Sequence, residues 1–84
     1  MNKEKMFIAR DENNVDTAYE MLYVKNVDGT PIIWYTDGTY DADNNKNVYI
    51  SSYKREGNTF LLSSIDDDNL MNKYADIFMN EYSE

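Results

Sequence analysis

Asp66-Asp67-Asp68-Asn69-Leu70-Met71-Asn72-Lys73-Tyr74-Ala75-Asp76-Ile77-Phe78-Met79-Asn80-Glu81-Tyr82 has a different period from everything that precedes it. Its apolar residues Leu70, Met71, Tyr74, Ile77, Phe78 and Tyr82 fall on one stripe, which predicts an amphipathic helix. The acidic start fits that reading. An aspartate can cap free N–H groups at a helix start, and neighbouring carboxylates favour the positive end of the helix dipole.

Upstream, the periodicity is that of strands. Residues 6–9 form a short apolar run closed by the polar turn Arg10-Asp11-Glu12-Asn13-Asn14. Residues 18–25 place Tyr19, Met21 and Tyr23 on one side and Glu20, Leu22 and Val24 on the other. Asp28-Gly29 is a strong turn signal. Pro31 suits only the beginning of the following strand, and Ile32-Ile33-Trp34-Tyr35 is apolar on both faces, as a central strand would be. Residues 37–47 are dense in turn formers and predict the longest loop. Residues 48–54 and 59–63 then read as two more strands joined at Glu56-Gly57-Asn58, with Val48 and Ile50 opposite Tyr49 and Tyr53. Strands first and a helix last predict an α+β fold: an antiparallel sheet of four to five strands with one C-terminal amphipathic helix.

The 84 residues suit a single domain spanning residues 1–84, since a chain of this size has too little core to divide. Cysteine is absent, so disulfides and thiolate zinc sites are excluded and a reducing cytoplasm is the expected compartment. The apolar run after Met1-Asn2-Lys3-Glu4-Lys5 is too short for a signal peptide, and no stretch approaches the ~20 residues of a membrane span. Sixteen acids against eight bases give a net charge of -8, which argues against direct binding of nucleic acid or anionic membranes.

The missing histidine and cysteine remove the commonest general base and the strongest common nucleophile, and no catalytic residue is assigned. The carboxylates sit in turns and at a helix start, unlike the buried pairs of glycosidases. Gly29, Gly38 and Gly57 stand singly, so no phosphate loop and no cofactor is implied. Asp41, Asp43 and Asn45 match the first ligands of a calcium loop, but Lys46 and Ser52 occupy the positions of its glycine and bidentate glutamate. No metal is expected.

Two surfaces remain for function. Asp41, Asp43, Asp66, Asp67, Asp68 and Asp76 could imitate a phosphate backbone and occupy a nucleic-acid-binding cleft, or could simply keep the protein soluble. Tyr19, Tyr23, Tyr49 and Tyr53 form either an exposed patch for a partner or homodimer, or the rear of a sheet curled around the helix. The favoured partner-binding residues are Asp41, Asp43, Tyr40, Asp66, Asp67 and Asp68, with Tyr49 and Tyr53 as anchors. Trp34 and Phe78 are assigned to the core.

The segment from Ile33 to Tyr53, with Tyr35-Thr36-Asp37, Asp41, Asp43, Asn45, Asn47-Val48-Tyr49, Ser51 and Tyr53, resembles the YrzB-like family of small acidic bacterial proteins, known as domain-of-unknown-function family 1292. The likeness extends over roughly residues 19–82. Asn44-Asn45 departs from the family's usual turn, and Asn69-Leu70-Met71 stands where relatives often carry acids and Trp. The resemblance implies a role unassigned in mechanism, in low-GC Gram-positive bacteria, often encoded beside a Holliday-junction-resolvase-like protein. A phage or mobile-element relative could use the scaffold against a host nuclease.

These readings lead to one expectation: a non-enzymatic acidic module that blocks a basic, nucleic-acid-handling protein such as a nuclease, in the manner of a DNA mimic or anti-CRISPR inhibitor. The alternatives are a housekeeping adaptor, a homodimer and an immunity protein for a basic toxin.

Overall fold

A computed structural model describes residues 5–82, so Met1 to Glu4 of the signal-peptide reading lie outside the described residues. The strands are β1 (Lys5–Arg10), β2 (Asp16–Val27), β3 (Thr30–Thr36), β4 (Tyr49–Glu56) and β5 (Thr59–Ser63), followed by helix α1 (Asp68–Glu81). Neighbouring strands pair antiparallel in chain order. The sheet then closes on itself as a barrel, with Ile8, Ala9 and Arg10 of β1 opposite Thr59, Phe60 and Leu61 of β5.

This last pairing is parallel, which corrects the expectation of a purely antiparallel sheet. The reason is parity. An up-and-down chain of five strands returns with its last strand pointing the same way as its first. Closure removes the open edges that would otherwise invite pairing with other chains.

Alternation along β3 explains its two apolar faces. Ile33 and Tyr35 point into the barrel with Phe7, Ala9, Phe60 and Leu62, while Ile32 and Trp34 point outward beneath the helix with Val27 and Tyr74. Trp34, Ile32 and Ile33 are wholly buried, each side chain contributing roughly 1.5–3 kcal/mol. Trp34 donates its Nε1–H to the Tyr74 carbonyl at 3.1 Å and stacks on Phe78 at 6.1 Å, so both residues assigned to the core do lie in the helix–barrel contact.

The helix therefore packs on the outside of the barrel and is not wrapped by the sheet. A register shift between Met21 and Tyr23 adds a tyrosine to the face beneath the helix. Leu22 is an extra residue in β2, so Tyr19 and Met21 face the interior but Tyr23 faces the helix, correcting the strict alternation read from the sequence. Tyr23 then packs on Trp34 and donates to Glu81 at 2.6 Å, and Lys25 pairs with Glu81 at 2.7 Å. Lys73 bonds Asp28 in the β2–β3 turn. That turn is the two-residue Asp28-Gly29, both at positive φ, as a tight hairpin needs.

Candidate functional site

The odd-numbered connections of an up-and-down barrel emerge at one end, here called the mouth. The β1–β2 turn and the β3–β4 loop therefore share it, and the β5–α1 linker starts there but runs down the outside of the barrel, where Asp66 and Asp67 lie beside Thr30 and Ile32 near the β2–β3 end. The carboxylates of the mouth are Asp11 and Glu12 of the first connection, Asp16 at the start of β2, and Asp37, Asp41 and Asp43 of the second. Arg10 and Lys46 are the basic residues of the same segments. Arg10 is engaged by Asp16 at 2.7 Å, which holds that carboxyl below the usual aspartate range, and Lys46 lies 3.9 Å from Glu20. Among the described residues, no ion pair neutralises the other five, Asp11, Glu12, Asp37, Asp41 and Asp43.

Two of the connections use the same local construction. In the first, the Asp11 Oδ1 accepts the N–H groups of Asn13 (2.8 Å) and Val15 (3.0 Å), and Asn14 sits at φ 66°. In the second, the Asp41 Oδ1 accepts those of Asp43 (2.9 Å) and Asn45 (2.9 Å), and Asn44 sits at φ 69°. An aspartate followed three places later by an asparagine suits this turn because the carboxylate bonds its own loop and asparagine tolerates the left-handed region. Asp41 is thus partly structural, and Asp43 projects from the same turn exposed.

Asp67 caps the helix, accepting from Asn69 and Leu70 at 2.8 and 3.2 Å, and Asp68 occupies the first turn. Asp66 lines a shallow groove with Thr30, Ile32, Ser52 and Tyr74, on the outer flank of the barrel and not at its mouth. Tyr40 pairs with Lys46 across the β3–β4 loop and is exposed. Tyr49, at the rim, donates to Asp37 at 3.0 Å, and this bond raises its phenol above the ordinary range. Asp37 is held below the usual aspartate range by the hydroxyl and amide of Thr39, with Tyr49 adding to them.

Of the eight residues favoured by the sequence, Tyr40, Asp41, Asp43 and Tyr49 lie at the mouth, Asp66, Asp67 and Asp68 lie apart on the outside of the barrel toward the β2–β3 end, and Tyr53 belongs to neither group. It stands four residues along β4 from Tyr49, about 13 Å away, and packs against Phe60 inside the barrel at 5.0 Å. The tyrosine patch is accordingly dispersed: Tyr19 and Tyr53 pack on the interior core and Tyr23 lies beneath the helix end. Sequence reasoning missed Asp11, Glu12 and Asp37. The signal was the connection parity, combined with the Asp-x-x-Asn spacing shared by the first two connections.

The mouth itself is a cavity of about 210 Å³ lined by Glu12, Tyr19, Tyr35, Ser51 and Ser64, among others. The Tyr35 and Ser51 hydroxyls are bonded to each other at 2.9 Å, and burial raises the Tyr35 phenol above its usual range. Among the described residues, no group of three or more potential ligand side chains could hold a metal ion, and no helix is long and apolar enough to cross a membrane. Comparison with family models, curated proteins and solved structures finds no match.

Proposed function

We propose that the mouth carboxylates dock this protein on a basic, nucleic-acid-binding surface of a partner and cover it. The observation that carries this reading is the convergence of the acidic β1–β2 and β3–β4 connections on one end of a closed barrel. Such a concentration steers association with a cationic cleft and imposes like-charge repulsion on nucleic acid competing for it. The surface needs no catalytic group, and the protein acts as a non-enzymatic, cytoplasmic inhibitor of a nuclease or similar protein. The likeness to the YrzB-like family is part of this proposal.

A pull-down from nuclease-treated bacterial lysate, eluted by a salt gradient, tests it. Enrichment of a nucleic-acid-handling protein that DNA displaces supports the reading. Recovery of a partner whose retention ignores both salt and DNA contradicts it.

One observation favours a second reading, self-association. Met6 and Ile8 on β1 are 59% and 43% exposed, on the outer side of the barrel that the helix leaves uncovered. An isologous dimer would cover them. Light scattering separates the two, a monomer at high concentration excluding the dimer.

A further inference from the structure

We infer that the barrel mouth receives one arginine side chain of the partner, so that the acidic end has a specific pocket at its centre as well as a field. The inference rests on the docking reading above. It goes beyond charge because the pocket is made of groups that recognise a guanidinium by shape.

All five strands, or the connections that extend them, meet at this cavity: Glu12 from the β1–β2 turn, Tyr19 from β2, Tyr35 from β3, Ser51 from β4 and Ser64 beyond β5. Its volume of about 210 Å³ equals roughly seven waters at ~30 Å³ each, enough for a guanidinium and part of its stem. Tyr19 and Tyr35 lie with ring centroids 4.8 Å apart and planes inclined by 58°, forming an aromatic corner. A cation within about 6 Å of such rings is attracted to their faces, and a flat guanidinium exploits this better than a compact ammonium.

The hydroxyls supply the complementary acceptors. Tyr35 and Ser51 are 8% and 6% exposed, and their mutual bond uses one hydroxyl hydrogen and one lone pair. One hydrogen and three lone pairs remain uncommitted within the pair. A guanidinium carries N–H donors in a fixed fork and no acceptor, so it matches those lone pairs. The Glu12 carboxylate, held at the opening by the Ser64 amide at 3.3 Å, provides the counter-charge. Basic nucleic-acid-binding surfaces present arginine for these same properties, which makes them the fitting source of the side chain.

The test is an NMR titration of the whole protein with N-acetyl-arginine amide, its neutral isostere N-acetyl-citrulline amide, the lysine analogue, and an eight-residue arginine peptide. Saturable shifts at Tyr19, Tyr35 and Ser51 are expected with both arginine probes, at least severalfold weaker with lysine and absent with citrulline. Tyr35→Phe, which keeps the ring, should weaken arginine binding severalfold in a protein whose spectrum remains folded. Equal shifts with citrulline, or undiminished binding by Tyr35→Phe, overturn the inference. If the arginine peptide binds but shifts only residues 37–47, the pocket fails while the docking reading stands. If the peptide does not bind, both fail.

Discussion

Glu12 and Ser64, 52 positions apart, are tied together: the Glu12 carboxylate accepts the Ser64 amide at 3.3 Å and its hydroxyl at 3.4 Å. The bond fastens the β1–β2 turn to the linker that leads into the helix. It fixes the first acidic connection to the start of that linker without using a cation. The mouth is thus a constructed end of the barrel, held by its own polar groups.

Removing the tie should act locally. Glu12→Ala is expected to accelerate amide exchange at Ser64 and leave protection of Ile33 and Trp34 unchanged. Hydrogen exchange followed by NMR measures both. Equal loss of protection at β3 would show that Glu12 supports the whole fold instead.

The paired Asp-x-x-Asn turns predict a matched response. Asn14→Val and Asn44→Val should each cost roughly 1–2 kcal/mol, because a branched side chain resists the left-handed region. Asn44→Gly should remain within about 0.5 kcal/mol of the parent. Asp41→Asn keeps a side-chain acceptor for the turn and removes the charge, so it separates the structural role of Asp41 from its part in docking. Urea unfolding reads all of these.

The helix–barrel contact centres on Trp34. Trp34→Phe removes the bond to the Tyr74 carbonyl and part of a wholly buried side chain, and is expected to cost about 2–3 kcal/mol, less than the 3–5 kcal/mol typical of truncation to alanine. A loss well below 1 kcal/mol would place the principal anchor of the helix elsewhere.

The helix should also loosen in acid. Glu81 is held below the ordinary glutamate range by Lys25 and then Tyr23, and Asp28 below the aspartate range by Lys73. A depressed carboxyl contributes stability that is present above its unfolded value and lost as pH falls through its folded value. Below about pH 4 both attachments should weaken, seen as a change in Trp34 fluorescence. The lysines are raised by the same bonds, so their contribution is present below the unfolded lysine value and fades as pH rises through the folded one, above about 10.4. Glu81→Gln should flatten the acid limb.

Much of this fold is legible in the sequence, because each element carries its own period. The helix stripe from Leu70 to Tyr82, the Asp28-Gly29 turn and the doubly apolar strand around Trp34 all lie where their patterns put them. What escapes is non-local. Barrel closure depends on Ile8–Arg10 meeting Thr59–Leu61, a pairing that leaves no mark on either segment alone. The bulge at Leu22 turns Tyr23 from one face to the other, so the tyrosines that alternation grouped together are separated. The acids of residues 41–43 and 66–68 were visible as candidates, but only the chain path separates the two sets, and Asp11, Glu12 and Asp37 joined the first only once the connections could be assigned to one end.

The central claim is that position at the mouth, and not total charge, makes the binding surface. The most direct measurement compares two doubly neutralised variants for affinity toward a labelled eight-residue arginine peptide. Asp37→Asn with Asp43→Asn removes two mouth charges, and Glu56→Gln with Asp76→Asn removes two elsewhere. Measured between about 50 and about 300 mM salt, the mouth variant is expected to lose about tenfold in affinity with a shallower salt dependence, and the other to stay within about twofold. Equal losses in the two variants would contradict the account and reduce the carboxylates to a general, solubilising charge.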